Sequence, residues 1–275
     1  MDGSLLRGDG NVSFDWVEEG RSRMTLQAWN GTLTFGPWWL LYCGPIGPTE
    51  LHAHHAFQIM VHDGAPCVAD AAGEAIHGPI VIIEPDQPHA IRSRRDLALV
   101  VFVEPECRVG KALGDRHPAG ALGPVQPVAE VFGGLAMDNW AQADETVRRI
   151  LSLAGMSEAP LAPPWLRHPA VDEVLLRLPD LVEVGSVDVS CLAATIGIST
   201  SRLTHVFTTE VGIPLRSYAR WLRLLRTTEY LSEGLTITEA AHAAGFADTA
   251  HFSRAFKVMF GLAPSEVMHA CSWVR

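Results

Sequence analysis

Three histidines and a glutamine in the first third of the chain form its clearest cluster of ligand-type side chains. His52, His54 and Gln58 lie in the segment LHAHHAFQIMVH, and His89 follows in IIEPDQPHAI. Residues two apart on a strand point to the same face, so we expect His52 and His54 to lie side by side. Three imidazoles can hold Zn, Fe, Ni or Cu. They can equally line a metal-free pocket for a small molecule, which is the interpretation we favour.

The C-terminal part of the chain contains an internal duplication. Two apolar residues and a glycine recur 49 positions later: Leu203, Phe207 and Gly212, then Phe252, Phe256 and Gly261. Each copy also has a segment that runs from alanine to glycine, Ala193 to Gly197 and Ala241 to Gly245. Two steeply crossing helices need a small side chain where they approach, and glycine where the turn takes positive φ. The repeat predicts two helix-turn-helix units, at about residues 187–208 and 236–257.

A second helix is predicted after each turn. It begins at Ser199 in the first unit and at Asp248 in the second, because these side chains can accept hydrogen bonds from the free N–H groups of a first turn. Its apolar residues share one face, and the polar side chains opposite suit base edges and phosphates. Arg202 and Arg254 are the leading candidates, since arginine binds both guanine and phosphate. The candidate DNA-binding residues are Ser199, Thr200, Ser201, Arg202, Thr204, His205, Asp248, Thr249, His251, Ser253, Arg254 and Lys257.

A long helix is predicted between the two units. The segment PLRSYARWLRLLRTTEYLSEG runs from Pro214 to Gly234, residues that suit a helix start and stop. A helix of roughly 20 residues spans about 30 Å, close to the roughly 34 Å turn of B-DNA, so one chain can read two adjacent half-sites. In an all-α bundle the same small and aromatic residues would merely pack. Two copies in register, each with a polar-faced second helix, favour DNA binding instead.

The formal charge of −10 argues against a nucleic-acid binder, but it is unevenly distributed. Residues 1–167 hold 12 Lys and Arg against 20 Asp and Glu, whereas residues 199–257 hold 7 against 5. The predicted DNA-binding region is therefore mildly basic. We expect modest non-specific DNA affinity and more reliance on specific contacts and dimerisation.

Short strands dominate the first half of the sequence. The runs MTLQAW, TLTF, WWLLYC, FQIMVH, IVII and LALVVFV are separated by Gly, Pro and Asp clusters. This pattern predicts antiparallel strands that close into a barrel or sandwich. The aromatic residues Trp38, Trp39, Phe57 and Phe102 on these strands either line a pocket or belong to the core. A Gly- and Pro-rich stretch, residues 104–127, is predicted to be an irregular connector.

A helical hairpin is predicted over residues 128–155. Its second helix has an apolar stripe at helical spacing, formed by Trp140, Ala143, Val147, Ile150 and Leu151. Such a stripe either packs on its own domain or forms a dimer contact. The proline-dense segment 156–169 is predicted to be a linker, so the second domain should start near His168.

The C-terminal residues 187–267 resemble the DNA-binding domain of the AraC/XylS family of bacterial transcriptional regulators. The most specific part is AAHAAGFADTAHFSRAFKVMFGLAPSEV, residues 240–267, which looks like the family's signature around the second helix-turn-helix. The segment LAATIGISTSRLTHVFTTEVGIPLRSYARWLRLLRTTEYL resembles the first unit and linker helix. Glu210 and Val211 stand where basic residues are common in the family, in agreement with the weak basic balance.

The resemblance implies an α+β multi-domain fold. Residues 1–127 would form an N-terminal antiparallel β cupin-like barrel that senses an effector. Residues 128–155 would add the helical hairpin and dimerise, and residues 156–169 would link to an all-α DNA-binding domain at 170–275 with two helix-turn-helix units joined by a long helix. The histidines also resemble the cupin motifs, in which two histidines, a glutamate and a later histidine bind a divalent metal. Gln58 occupies the glutamate's place, and its neutral amide is a weaker ligand than a carboxylate.

We expect a transcriptional regulator and not an enzyme. The expected partners are double-stranded operator DNA, a small-molecule effector at His52, His54, Gln58 and His89, a second copy of the chain and, for an activator, RNA polymerase. No cofactor is certain, and His52, His54 and His89 are the candidate ligands of a divalent metal. The alternative is a metal-dependent cupin enzyme, an oxygenase or isomerase, with a fused helical domain, but its carboxylate ligand is missing. No stretch approaches the roughly 18 apolar residues of a membrane span, so we expect a soluble cytoplasmic protein without a membrane partner.

Overall fold

The computed structural model describes residues 28–62, 68–76, 78–92, 97–116, 120–122, 139–156, 167–268 and 271–274. The strands are β1 (Thr32–Phe35), β2 (Trp39–Pro45), β3 (Phe57–His62), β4 (Val68–Asp70), β5 (Ala75–Ile76), β6 (Ile80–Ile83), β7 (His89–Ile91), β8 (Leu97–Val103), β9 (Gly120–Leu122) and β10 (Ser272–Val274). The helices are α1 (Arg108–Arg116), α2 (Trp140–Leu151), α3 (Pro169–Val184), α4 (Val189–Ile196), α5 (Thr200–Val211), α6 (Leu215–Ser232), α7 (Ile237–Ala243), α8 (Thr249–Phe260) and α9 (Pro264–Met268). A π-helical turn, Ser152–Met156, follows α2 directly.

The described strands form two sheets. The larger has seven strands in the order β10-β1-β2-β8-β3-β6-β9, and the smaller has three in the order β5-β4-β7. At the centre of the larger sheet, Val101 of β8 lies opposite Leu41 of β2 and Ile59 of β3. All three side chains are fully buried, as the continuous apolar runs in these strands predict.

The predicted closed barrel is wrong for the described residues. Strands β9 and β10 form the two edges of the larger sheet and do not pair with each other, and the short strands β4, β5 and β7 pair in a sheet of their own. Strand β10 was assigned to the C-terminal domain from the sequence, yet Ser272–Val274 pairs in parallel with Thr32–Thr34 of β1. Within the described residues, the N-terminal half therefore consists of two sheets that do not close into a barrel.

The stretch predicted to be an irregular connector contains regular structure. Residues 108–116 form α1, and residues 120–122 form β9. Two glycines, Gly110 and Gly114, weaken the helical signal of α1 in the sequence. Gly110 allows a close approach, because a Cβ atom there would lie 2.1 Å from the carbonyl oxygen of Glu104. Leu113 anchors the helix with a fully buried side chain.

The apolar stripe of α2 packs on its own sheet. Ala143, Val147 and Ile150 are fully buried in a core that includes Trp39 and Leu41. Trp140 keeps 41% of its surface exposed. This agrees with the first of the two interpretations of the stripe. The predicted first half of the hairpin, residues 128–138, and most of the predicted linker, residues 157–166, lie outside the described residues.

The C-terminal helices cover the opposite face of the larger sheet. Phe252 and Phe256 of α8 share a core with Tyr42, Met60 and Val100 of the sheet. The residues next to these three along their strands, such as Leu41, Ile59 and Val101, belong to the core that contains α2. A separate core holds the first helix-turn-helix unit, formed by α4 and α5, against α3 and α6. The sheet therefore lies between α2 and the second helix-turn-helix unit, formed by α7 and α8. None of the helices in the described ranges is long and apolar enough to cross a membrane.

Both predicted turns of the helix-turn-helix units are confirmed. Gly197 ends α4 with φ 81°, and Gly245 lies between α7 and α8 with φ 82°. A Cβ atom at Gly245 would lie 2.5 Å from the carbonyl oxygen of Val182 in α3, so only glycine fits this approach. Ala193 and Ala241 are buried at the helix crossings. The predicted long helix is α6, which follows Pro214.

Candidate DNA-binding surface and interdomain pocket

The two recognition helices, α5 and α8, begin at the predicted caps. The Ser199 hydroxyl accepts a hydrogen bond from the Arg202 amide at 3.2 Å, and the Asp248 carboxylate accepts one from the His251 amide at 2.6 Å. These caps satisfy donors that a helix start leaves without partners. They fix where each helix begins and therefore which of its side chains face outward.

The remaining candidate DNA-binding residues lie where the helical pattern places them. Seven are exposed: Thr200, Ser201, Arg202, Thr204, His205, Arg254 and Lys257. Three are half-buried: Thr249, His251 and Ser253. Lys257 departs from the expectation of a side chain facing only solvent, because its Nζ lies 2.7 Å from Glu50 Oε1 in the N-terminal half.

A basic groove runs between the two helix-turn-helix units, and the sequence analysis missed it. Arg216, Arg220 and Arg223 of α6 line this groove together with His251 of α8 and Ser186 ahead of α4. The arginines are spaced by four and three residues, the spacing that places side chains on one helix face. This spacing was the available signal for the groove in the sequence.

One arginine of the groove is held against the helix-turn-helix scaffold. Arg223 donates a hydrogen bond to the carbonyl oxygen of Gly185 at 2.6 Å, and its Nε is buried without a hydrogen-bond partner among the described residues. Burial and the neighbouring Arg220 lower its pKa. The groove thus concentrates positive charge between the two recognition helices.

The structure brings the three predicted histidines together, although not on one strand. His52 and His54 lie in the segment before β3, where His52 makes an isolated bridge to His89 with two backbone hydrogen bonds of 2.9 Å. The expectation of a shared strand face is therefore wrong. One ligand atom from each imidazole nevertheless lies within 4.8 Å of the others, and all three side chains are buried.

Carbonyl oxygens determine the tautomer of each histidine. Nδ1 of His52 donates to the Glu50 carbonyl at 2.9 Å, and Nδ1 of His89 donates to the Gln87 carbonyl at 2.9 Å. Nε2 of His54 donates to Oε1 of Gln58 at 2.8 Å. Gln58 is therefore hydrogen-bonded to a histidine and does not stand beside the other candidates as an equal ligand. The second nitrogen of each neutral ring carries a lone pair.

Burial keeps the three histidines neutral. Desolvation, with the neighbouring imidazoles, lowers the pKa of His52 to about 4 and that of His54 to about 3. Desolvation also lowers the pKa of His89. Nδ1 of His54, Nε2 of His89 and Nε2 of Gln58 are buried without hydrogen-bond partners in the described part of the chain. Unsatisfied buried polar atoms of this kind are costly unless a ligand binds them.

A pocket next to the histidines lies between the sheet and the second helix-turn-helix unit. It has a cavity volume of about 80 Å³. Its walls are apolar and come from both halves of the chain, including Phe102 of β8 and Phe256 and Phe260 of α8. His52 and Gln58 reach it as polar residues. Of the other aromatic residues considered from the sequence, Trp39 and Phe57 belong to the core, and Trp38 lines a different cleft.

An ion-pair cluster around the buried His55, next to the C-terminal half, was also not predicted from the sequence. His55 is bound on both sides, by Asp86 at 2.7 Å and Glu106 at 2.9 Å. Burial opposes the charge on His55, but these two carboxylates raise its pKa to about 9. Its ring also contacts Tyr218 of α6, with 5.6 Å between the ring centroids. The third histidine of the HAHH segment was the available signal.

The C-terminal part of the chain is similar to known helix-turn-helix proteins. Residues 192–270 match a family model described as a helix-turn-helix domain. The arabinose operon regulatory protein of Escherichia coli is 30% identical over 109 residues, which are 38% of this chain and 37% of that protein. The transcriptional regulator GlxA of Rhizobium meliloti is 33% identical over 101 residues, which are 36% of this chain and 31% of that protein. The chain thus spans only about a third of the length of these curated relatives.

A solved structure with a similar fold extends over most of the chain. ToxT from Vibrio cholerae matches with a TM-score of 0.57 and 13% sequence identity, covering 85% of this chain and 99% of that chain. At this identity the likeness concerns the fold alone. Both halves of the chain are therefore similar in fold to one known protein.

Proposed function

We propose that the chain is a sequence-specific DNA-binding transcriptional regulator of the AraC family, because its C-terminal helix-turn-helix domain is similar to those of the relatives above. The observation that carries the proposal is the pair of capped recognition helices, α5 and α8, joined by α6. With 18 residues, α6 spans about 27 Å. This length suits recognition helices in successive major grooves, roughly 34 Å apart.

Base reading is assigned to the exposed faces of the recognition helices, and phosphate binding to the basic groove. Arg202 of α5 and Arg254 of α8 are exposed and can reach guanine or phosphate. Arg216 and Arg220 lie on α6 between the two helices. Phosphate contacts of this kind position a protein on DNA, whereas contacts to base edges provide specificity.

The test is in vitro selection of genomic DNA fragments by the full-length protein at fixed, moderate salt. We expect enriched fragments to share two short half-sites about one helical turn apart. On such a site, Arg202→Ala and Arg254→Ala should each cost roughly 1–3 kcal/mol of binding free energy without loss of folding. Arg177→Ala, an exposed arginine of α3, is the matched control. Absence of enrichment, with or without ligands and chelator, would contradict the proposal.

The effector is proposed to bind in the pocket between the sheet and α8. Apolar side chains from both halves line it, and the unsatisfied amide of Gln58 lies at its polar side. ToxT has been solved with an unsaturated fatty acid and with (E)-4-(8-methylnaphthalen-1-yl)but-3-enoic acid bound. An apolar molecule with one polar end would suit the pocket of this chain in the same way. Its binding would alter the contact between the sheet and the second recognition helix.

Fluorescence titration tests the effector proposal, since Trp29 and Trp273 line the pocket. Because the cavity volume is about 80 Å³, a short acid, butanoic acid, serves as the probe and methyl butanoate as the matched control for its polar end. Saturable quenching by the acid, weakened in a Gln58→Leu variant, is the expected result. Equal binding of acid by the variant would remove Gln58 from the site, and no quenching by either probe would contradict an apolar effector.

Other partners follow from the proposed function. We propose a homodimer, RNA polymerase as a partner if the protein activates, and action in the cytoplasm, where the DNA lies. The buried stripe of α2 is occupied by its own sheet, so a dimer would use other residues. Sedimentation of the full chain at tens of micromolar should give a dimer, and a monomer would contradict it. We do not propose an enzyme, because Gln58 replaces the carboxylate and is bonded to His54.

A further inference from the structure

We propose that His52, His54 and His89 bind one divalent transition-metal ion, and that this ion acts as a structural link between the sheet and the second helix-turn-helix unit. The metal site depends only on the geometry of the three imidazoles. Its regulatory consequence rests on the proposed DNA-binding function. Gln58 is assigned to hold His54 in position and not to bind the metal.

The hydrogen bonds of the three rings are those of a prepared metal site. Metal-binding histidines usually donate their other N–H to a carbonyl or carboxylate oxygen, which fixes the tautomer and the ring orientation. Here His52 and His89 donate to backbone carbonyls, and His54 donates to the Gln58 side chain. In each ring, the nitrogen that does not donate carries a lone pair that can bind a metal ion. Three such rings come from two separate segments of the chain.

The three imidazoles lie close together, and two of them have a buried nitrogen without a hydrogen-bond partner among the described residues. One nitrogen from each ring lies within 4.8 Å of the others. Nδ1 of His54 and Nε2 of His89 are buried with no hydrogen-bond partner among the described residues. Metal–nitrogen bonds of about 2.0–2.1 Å would need small rotations of these rings. A neutral set of three imidazoles suits Zn, Cu, Ni or Fe and leaves a position for water or for a polar group of the effector.

The site touches the DNA-binding half directly. The His54 ring lies against Trp221 of α6 and Phe260 of α8, with centroid distances of 6.3 Å and 6.0 Å. The loop after α8 reaches the other side of the cluster, where the Glu50 amide donates to the Gly261 carbonyl at 2.8 Å. A metal that fixes these rings would therefore stabilise the contact between the sheet and α8. In that contact Lys257 is paired with Glu50 and less available to DNA.

Cobalt binding to the metal-free, full-length protein tests the site. We expect one equivalent of Co²⁺ to give the visible ligand-field absorption of a low-coordinate site, and Zn²⁺ to displace it. His89→Ala should abolish this absorption, and Gln58→Leu should weaken Co²⁺ binding roughly 10- to 100-fold. His242→Ala, which removes an exposed histidine of α7, is the matched control and should bind as the wild type does.

Thermal unfolding keeps the test valid if a variant folds poorly. The metal should raise the melting temperature of the wild type and of His242→Ala by mass action, but not that of His89→Ala or of His52→Asn. Folded protein that binds no Co²⁺, Ni²⁺ or Zn²⁺ at micromolar concentration would overturn the metal site. So would variants that bind metal as the wild type does.

DNA binding separates this inference from the proposed function. On a selected DNA site, we expect metal-loaded protein to bind severalfold more weakly than metal-free protein, and His89→Ala to be insensitive to metal. Selection of DNA by a protein that binds no metal would overturn only the metal site. Metal binding without effect on DNA affinity would overturn the link between the site and α8, and metal binding without any DNA selection would contradict the proposed function alone.

Discussion

Arginine side chains on one face of α6 add a positively charged surface for DNA phosphates, separate from the two recognition helices. Arg216 and Arg220 are exposed in the groove between the two helix-turn-helix units, and Arg223 is half-buried beside them. The sequence pointed to single residues on the recognition helices because their caps are local signals. The spacing of these arginines places them on one face of α6, but only the packing of α6 against α3 and α8 makes that face the wall of a groove.

The basic groove predicts a uniform loss of DNA affinity when one arginine is removed. Arg220→Ala should weaken binding to specific and unrelated DNA by a similar factor, because phosphate contacts carry no sequence information. The slope of log affinity against log salt should fall by about 1. Fluorescence anisotropy over a salt series measures both, with Arg177→Ala as the control. A loss confined to the specific site would instead make Arg220 a base-reading residue.

Glu104 predicts a pH-dependent stability. Burial, together with Glu106 and with Glu229 of α6, raises its pKa to about 7 from the usual 4.5. Glu229 is itself paired with Arg226, while Arg167 donates to the Glu106 carbonyl. Between pH 4.5 and 7 the folded protein holds this proton more tightly than the unfolded chain, so this group's contribution to stability falls as pH rises through that window.

Replacing Glu104 measures that contribution. Glu104→Gln should raise the free energy of unfolding at pH 8 by roughly 1–3 kcal/mol and leave it nearly unchanged below pH 4.5. Denaturant unfolding at several pH values is the measurement, and Glu74→Gln, at an exposed residue in the turn between β4 and β5, is the control. A constant difference across the pH range would show that titration of Glu104 is not its cause.

The two recognition helices end at equivalent glycines, but the surroundings of these glycines differ. Gly212 ends α5 and Gly261 ends α8, both in the left-handed region, with φ 90° and 69°. A Cβ atom at Gly212 would meet open space. At Gly261 it would lie 2.4 Å from the Glu50 carbonyl oxygen and 2.7 Å from His52 Nδ1.

This difference predicts unequal costs for the same substitution. Both Gly212→Ala and Gly261→Ala lose stability because alanine resists positive φ. Gly261→Ala should lose about 1–3 kcal/mol more, since the added methyl group clashes with the N-terminal half. Chemical denaturation of the two full-length variants measures the difference. Equal losses would indicate that the contact between Gly261 and His52 does not form in solution.

The distance in sequence between interacting residues explains which elements could be predicted. The caps, the turns and α6 follow from residues close together in sequence, so their positions in the chain were predictable. Strand β10 pairs with β1 across most of the chain, and the closed barrel was predicted because strand patterns do not specify which strands meet. His52, His54 and His89 could be identified from the sequence as candidate metal ligands. Their tautomers could not be predicted, because they depend on where carbonyl oxygens lie in the folded chain.

The N-terminal half covers the inner side of the second helix-turn-helix unit. Phe252 and Phe256 share a core with residues of the larger sheet, and Lys257 is paired with Glu50. Both charged side chains are at least half exposed, so the pair contributes little to stability. Its effect should instead concern the availability of Lys257 to phosphate.

Removing Glu50 should therefore strengthen DNA binding. Glu50→Ala releases Lys257 and removes a negative charge near the DNA, so we expect a roughly twofold to tenfold gain in affinity at low salt, shrinking as salt rises. Glu145→Ala removes the same charge from α2, on the far side of the sheet, and should have a smaller effect. If both variants gain equally, net charge explains the result and the ion pair does not.

If one chain reads DNA with both recognition helices, footprinting on a selected site should reveal both contacts. We expect two protected segments on one face of the duplex, about one helical turn apart. Arg202→Ala should weaken protection of one segment, and Arg254→Ala that of the other. A single protected segment that depends on only one of the two arginines, or protection that neither variant changes, would contradict it.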